Sequence, residues 1–173
     1  MSKEEKKVNR RDFLFTASYT IGAVGVGAVV WPLVHQMNPD KAQQALATTE
    51  VDISQVEPGN SITVLWRGKP VFLKRRTQEE ISEARAVSLT DLPDPQKDEE
   101  RVKEGKDEWL VMLGVCTHLG CVPLKDKGDY NGWFCPCHGS HYDGSGRIRK
   151  GPAPKNMEIP KFEFVDNNTI KIG

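Results

Sequence analysis

Two short stretches, CTHLGC at 116–121 and CPCHGSH at 135–141, hold all four cysteines and three of the four histidines of the chain. Thiolate and imidazole are the ligands of zinc, copper and iron–sulfur clusters. The candidates are Cys116, His118, Cys121, Cys135, Cys137, His138 and His141. A structural zinc site closes tetrahedrally on four ligands, which leaves three reactive groups unexplained. A cluster on four cysteines uses every thiol, but it gives the repeated cysteine–histidine neighbourhoods no purpose.

A third arrangement matches the symmetry of the two stretches. Cys116-x-His118 supplies one thiolate and one imidazole, and Cys135-x-x-His138 supplies another of each. Two cysteines can hold one iron and two histidines the other, as in a Rieske 2Fe-2S centre. Cys121 and Cys137 are then left over, one per loop. Two such thiols on adjacent loops can form a disulfide that clips the loops together. Such a bond persists only in an oxidising compartment, so the chain is expected to carry a route out of the cytoplasm.

CTHLGC followed by CPCHGSHYDGSGRIRKGPAP resembles the signature of the Rieske iron–sulfur proteins of quinol–cytochrome c reductases, the respiratory cytochrome bc complexes. The resemblance covers most of the chain, with anchor, small-residue connector and β-rich head in the family's order. It implies a mostly β fold: a Rieske-type antiparallel β sandwich with a small cluster-binding subdomain, plus one N-terminal transmembrane helix. It implies one 2Fe-2S cluster on Cys116, His118, Cys135 and His138, with Cys121 and Cys137 as the disulfide. By the same resemblance Ser140 donates to a bridging sulfide and Tyr142 to the sulfur of Cys116. Leu119 shields the cluster, and a third loop, Gly151-Pro152-Ala153-Pro154, covers it from another side. His138 is the quinol contact, taking a proton and an electron, and the head passes the electron to a c-type cytochrome subunit. Ubiquinol, cytochrome b and the c-type cytochrome are the implied partners, in a dimeric complex that contributes to proton translocation. His141 is expected near the loop tip and not as a ligand. Two imidazoles in place of thiolates place the potential within roughly −150 to +300 mV.

Other classes share the ligand pattern. Electron-transfer components of Rieske oxygenases usually lack the extra cysteine pair and need no anchor. The plastoquinol relatives typically have glutamine at the position of His141. A Rieske subunit of another exported oxidoreductase, of the arsenite oxidase type, can carry the same kind of export signal, but GRIRKGPAP favours the quinol complex.

The elements that must position these loops follow a clear order. Phe13 to Val34 contains no charge, and about twenty apolar residues in a helix cross the roughly 30 Å hydrocarbon core. The anchor is placed at 13–35, with Trp31 and His35 at the interface. Arg10 and Arg11, just before it, read as a twin-arginine export signal within residues 1–12. Lys3, Lys6, Lys7, Arg10 and Arg11 keep the N-terminus cytoplasmic. The chain is therefore expected to cross the inner membrane once, with a periplasmic head. Ala45-Leu46-Ala47 fits a small-residue cleavage pattern but lies more than ten residues beyond the apolar run, so the anchor is expected to be retained. Residues 36–49 form a connector, and the resemblance suggests a hinge there, with Ala45, Leu46 and Ala47 as its candidates. The head, residues 50–173, is long enough for one core, with the cluster loops in 114–155. SITVLW and PVFLK read as a hairpin across Arg67-Gly68-Lys69, KFEFV and TIKI as another, and WLVMLGV as a buried strand. Thr77 and Glu80 have capping-box spacing at the start of a helix over 77–87. The charged stretch from 88 to 107 reads as a solvated surface excursion. The formal net charge of zero points to no nucleic-acid role.

Overall fold

The computed structural model describes residues 9–38 and 47–173. The chain divides into two compact units, Met1–Gln44 and Ala45–Gly173.

Among the described residues the first unit holds one helix, α1 (Arg10–His35), with no buried residue. Its 26 residues span about 39 Å at 1.5 Å per residue, enough to cross a bilayer. The hydroxyls of Thr16 and Thr20 donate to the carbonyls of Asp12 and Thr16, both at 2.8 Å. These two hydroxyls are thus satisfied within the helix, as lipid requires of polar groups. Arg10 and Arg11 form its first turn. Pro32 sits in the last turns, and Trp31 stacks on His35 one turn on.

The second unit is built from three antiparallel sheets. The first pairs β1 (Thr49–Asp52) with β10 (Thr169–Ile172), and β10 with β9 (Phe162–Phe164). The second runs β2 (Ser61–Trp66), β3 (Lys69–Arg75), β4 (Trp109–Leu113). The third runs β5 (Leu124–Lys127), β6 (Gly132–Cys135), β7 (Ser140–Tyr142), β8 (Ile148–Lys150). This is the expected β architecture with a separate small cluster-loop sheet.

Strand β4 explains how the parts join. All five of its residues are buried. Successive side chains of a strand point to opposite faces, so Trp109, Val111 and Leu113 enter one core with Val71, Leu73 and Ile170. Leu110 and Met112 enter a second core with Phe72, Trp133, Tyr142 and Met157. The apolar run is therefore a wall shared by two cores, and the loop that leaves it carries the first cysteine.

The β2–β3 hairpin turns on only two residues, Arg67 at φ 50° and Gly68 at φ 72°. Positive φ at both central positions is the turn whose twist suits a hairpin. The helix at 77–87 is α2 (Gln78–Ala86), and its capping box is formed: Thr77 Oγ1 accepts from the Glu80 N–H, and Glu80 Oε2 accepts from the Thr77 N–H.

The charged excursion departs from expectation. It contains two short 3-10 turns, Leu89–Asp91 and Asp98–Arg101, and it is not simply solvated. Asp98 and Arg101 are 1% and 2% exposed. Asp98 meets Arg76 Nη1 at 2.6 Å and also accepts from Ser145 Oγ. Arg101 donates to the carbonyls of Ser145 and Met157, each at 2.7 Å. A buried charge is tolerable only when paired and hydrogen-bonded, and these partners come from distant parts of the chain.

Candidate metal centre

Each loop is a tight turn that returns the chain on itself. In the first, Gly120 N–H donates to the Cys116 carbonyl at 2.9 Å and Cys116 N–H to the Cys121 carbonyl at 2.7 Å. The second joins β6 to β7, whose register pairs Cys135 with Ser140, and Gly139 N–H closes on the Cys135 carbonyl at 3.0 Å. The third loop presses against the second. A side chain on Gly151, at φ 106°, would sit 2.5 Å from the Gly139 carbonyl oxygen and 2.6 Å from Ser140 Cα. Only glycine permits that approach.

The four cysteines divide as the pattern suggested. Cys121 and Cys137 form a disulfide. Cys116 and Cys135 are free, each 2% exposed. The sulfurs of Cys121, Cys135 and Cys137 lie within 4.8 Å of one another, but the disulfide removes two of that trio as ligands. The rings of His118 and His138 meet edge to face, centroids 4.6 Å apart. His118 Nδ1 is buried with no hydrogen-bond partner, a costly state for a polar atom. A metal bound there removes that cost. Two buried thiols, two converging imidazoles and an orphaned ring nitrogen fit a 2Fe-2S cluster with mixed ligands. His138 is exposed.

The electrostatics favour thiolate at the first loop. Burial raises the Cys116 thiol, but hydrogen bonds from Tyr142, from the His118 backbone N–H, and from Cys135 and Ser140 outweigh it and hold Cys116 below its ordinary value. Cys135 is raised by burial and by its neighbour Cys116, against the backbone N–H groups of Cys137 and His138. Tyr142 is pushed up to about 12, first by burial and then by its contact with Cys116. Its Oη lies 3.2 Å from Cys116 Sγ, and the Thr117 N–H donates to it at 3.2 Å. Ser140 is fully buried, and its Oγ accepts from the Ala153 N–H at 3.2 Å.

The remaining sequence candidates are distributed as follows. Leu119 is 71% exposed, so its side chain points outward from this unit. Gly151 and Pro152 are exposed on the third loop. His141 alternates with Ser140 and Tyr142 along β7 and faces away from them. Its Nδ1 accepts from the Asp129 N–H at 3.1 Å, and its ring lies on Phe134 at 4.8 Å. Of the connector candidates, Ala45 and Leu46 lie outside the described residues. Ala47 belongs to the head unit, and its carbonyl accepts from Trp66 Nε1 at 2.8 Å.

Several supporting residues were not singled out from sequence. Asp143 and Arg147 pair at 2.8 Å directly after Tyr142, and Arg76–Asp98–Ser145 holds the same turn from the other side. The i,i+4 spacing of Asp143 and Arg147 was the only local signal, and it is weak, since that spacing has meaning on a helix.

Comparison with known proteins gives a consistent result. The model of the Rieske [2Fe-2S] domain matches residues 48–163. A second, described as "Ubiquitinol-cytochrome C reductase Fe-S subunit TAT signal", matches residues 1–40. The chain is 57% identical to the ubiquinol–cytochrome c reductase iron–sulfur subunit of Rhodospirillum rubrum, over 95% of this chain and 92% of that one. It is 54% identical to the subunit of the same name in Blastochloris viridis, over 99% and 97%. Among solved structures, a chain of a hyperthermophilic respiratory Complex III superposes with a TM-score of 0.53 at 30% identity, over 90% of this chain and 97% of that chain.

Proposed function

The chain belongs to the Rieske [2Fe-2S] family, as an iron–sulfur subunit of ubiquinol–cytochrome c reductase, and on that premise we propose how its own residues serve that complex. The cluster supplies one-electron redox chemistry at a potential above that of all-cysteine clusters. Cys116, Cys135, His118 and His138 would hold it, the two thiolates at one iron and the two imidazoles at the other. The chain relays single electrons from ubiquinol, at a pocket completed by cytochrome b, to the c-type cytochrome subunit of a dimeric complex.

The observation that carries this reading is the pairing of two loops, each giving one free buried thiol and one converging imidazole, clipped by one disulfide. His138 is the exposed ring, so it is the one a quinol hydroxyl can reach. With a cluster in place, its imidazole would accept that hydrogen bond and take the proton, and the metal charge would favour the deprotonated ring beforehand. Proton release after each turnover contributes to proton translocation. Ser140 and Tyr142 aim hydroxyls into the site and stabilise the added negative charge. Gly151 and Pro152 keep the third loop over the cluster, and Leu119, exposed on the head by itself, shields the cluster edge where the head meets its partner.

The export signal and apolar helix give a membrane-anchored, exported head. We place it in the inner membrane with the N-terminus cytoplasmic, because the lysines and arginines lie before the helix. The connector serves as the hinge on which the head travels between the quinol pocket and the cytochrome. Its candidates narrow to Ala45 and Leu46, because Ala47 is bonded to the head.

EPR of native membranes tests the assignment. The cluster signal is expected to change when a quinone-site inhibitor occupies the pocket. A signal indifferent to every such inhibitor would remove ubiquinol as the donor.

A further inference from the structure

The third loop ends at Asn156, a buried residue outside the ligand set, 8% exposed. Its backbone N–H donates to Asp94 Oδ2 at 2.9 Å. Its side-chain Nδ2 donates to the Asp94 carbonyl at 3.0 Å and to Gln96 Oε1 at 3.3 Å. Its Oδ1 accepts from the Ile148 N–H at 2.9 Å. These partners decide which way the amide faces, because an N–H donor stands on one side and two oxygen acceptors on the other. Gln96 is itself held by Arg101 Nη1 at 2.7 Å. One side chain thus ties the third loop to β8 and to the charged excursion.

What the loop does at its other end gives this tie a consequence. Ala153, three residues before Asn156, is buried and donates its N–H to Ser140 Oγ at 3.2 Å. A hydroxyl has one hydrogen and two lone pairs. With Ala153 on a lone pair, the Ser140 hydrogen is left to point elsewhere in the site. We propose that Asn156 is a positioning residue: by anchoring the third loop to the excursion, it holds the Ala153 N–H on Ser140 and so directs the Ser140 hydroxyl toward the cluster. The proposal rests on the reading above that Ser140 donates to the cluster. It also gives the excursion a task, namely bracing the cluster's cover.

The Thr117 hydroxyl reinforces the same loop by donating to the Lys155 carbonyl at 2.6 Å, yet it leaves Asn156 without a substitute. Lys155 has its carbonyl tied, but the bonds to the Ile148 N–H, the Asp94 carbonyl and Gln96 Oε1 are made by the Asn156 side chain itself, and Asn156→Ala removes all three while keeping the backbone bond to Asp94 Oδ2.

The test uses the assembled complex with Asn156→Ala, Ser140→Ala and the double variant, each titrated for midpoint potential, with cluster content read by EPR. Asn156→Ala is expected to load its cluster and to weaken the preference for the reduced state by about two- to tenfold, tenfold being 59 mV for one electron. In the Ser140→Ala background the same change is expected to add less than about twofold, because residues acting through one another are not additive. Hydrogen exchange at the Ala153 amide is expected to quicken by about two- to tenfold, the worth of one hydrogen bond. A full additional shift in the double variant, or an unchanged potential in Asn156→Ala, overturns the proposal. If Ser140→Ala alone leaves the potential unchanged, the Ser140 reading fails instead. Should Asn156→Ala not load, Asp94→Ala removes only the carboxylate acceptor and is read by the same cycle.

Discussion

Tyr142→Phe removes one oxygen from a fully buried ring and leaves the ring itself in place. The Thr117 hydroxyl hydrogen is committed to the Lys155 carbonyl, and the Thr117 N–H already donates to Tyr142 Oη. The phenolic hydrogen therefore has Cys116 Sγ at 3.2 Å and Thr117 Oγ1 at 3.3 Å as acceptors. A hydrogen bond to a charged acceptor is worth about 1.5–3 kcal/mol. If about a third to a half of that is specific to the reduced state, the loss is ~1 kcal/mol, or roughly 40 mV for one electron. The midpoint potential should fall by that much with cluster content retained, measured by EPR-monitored redox titration. Because the phenol is pushed up to about 12, it stays a donor at lower pH. The gap between wild type and variant should therefore be constant between about pH 6 and pH 10. The freed Thr117 N–H should also cost about 1 kcal/mol of stability, the low end for an unsatisfied group, since Thr117 is half-buried. A potential unchanged within experimental scatter, or a gap that closes on going to pH 10, would refute the hydrogen-bond account.

Four further outcomes are expected. His138→Ala should abolish the EPR signal while His141→Ala keeps it, and a normal signal in the former would break the ligand assignment. Replacing Cys121 and Cys137 with serine should lower the unfolding free energy by about 3 kcal/mol in denaturant melts, as a disulfide closing a short loop does. Burial raises the Asp98 carboxyl, but Arg76 and Ser145 more than offset it and hold it below its ordinary value. Its contribution is thus present above the unfolded carboxyl pKa of about 3.9 and is lost as pH falls through the lower folded value. Asp98→Asn should cost about 3–5 kcal/mol near neutral pH, and urea melts should show the difference shrinking below about pH 4. Finally, prolines at Ala45 and Leu46 should slow quinol–cytochrome turnover without moving the midpoint potential; full turnover would make the connector a passive tether.

The ligand set was legible because cluster chemistry demands soft ligands at short spacing, and both loops display them locally. The hairpins and the capping box were legible for the same reason: alternation, a two-residue turn and an S/T-x-x-E spacing are local events. Even so, Lys69 belongs to β3 and not to the turn, since Arg67 adopts a positive φ that arginine seldom takes. The buried charges were not legible. Asp98 finds Arg76 across 22 residues and Ser145 across 47, and a run of charges gives no hint that two will be desolvated while their neighbours stay wet. Nothing could be drawn from Asn156 in the sequence because its partners at Asp94 and Gln96 are about sixty positions away. Ala47 looked like free connector because its bond to Trp66 spans 19 residues.

The pairing of β1 with β10 sets a timetable. Thr49 faces Ile172 in the register, so the strand that opens the head has no partner until nearly all of the head has been synthesised. At 5–20 residues per second, that wait is roughly 6–24 s. During it β1 presents unpaired N–H and carbonyl groups, a hazard for aggregation. The head therefore closes only once its last strand has been made, and a signal read by the twin-arginine route at residues 1–40 suits a cargo that folds before it moves.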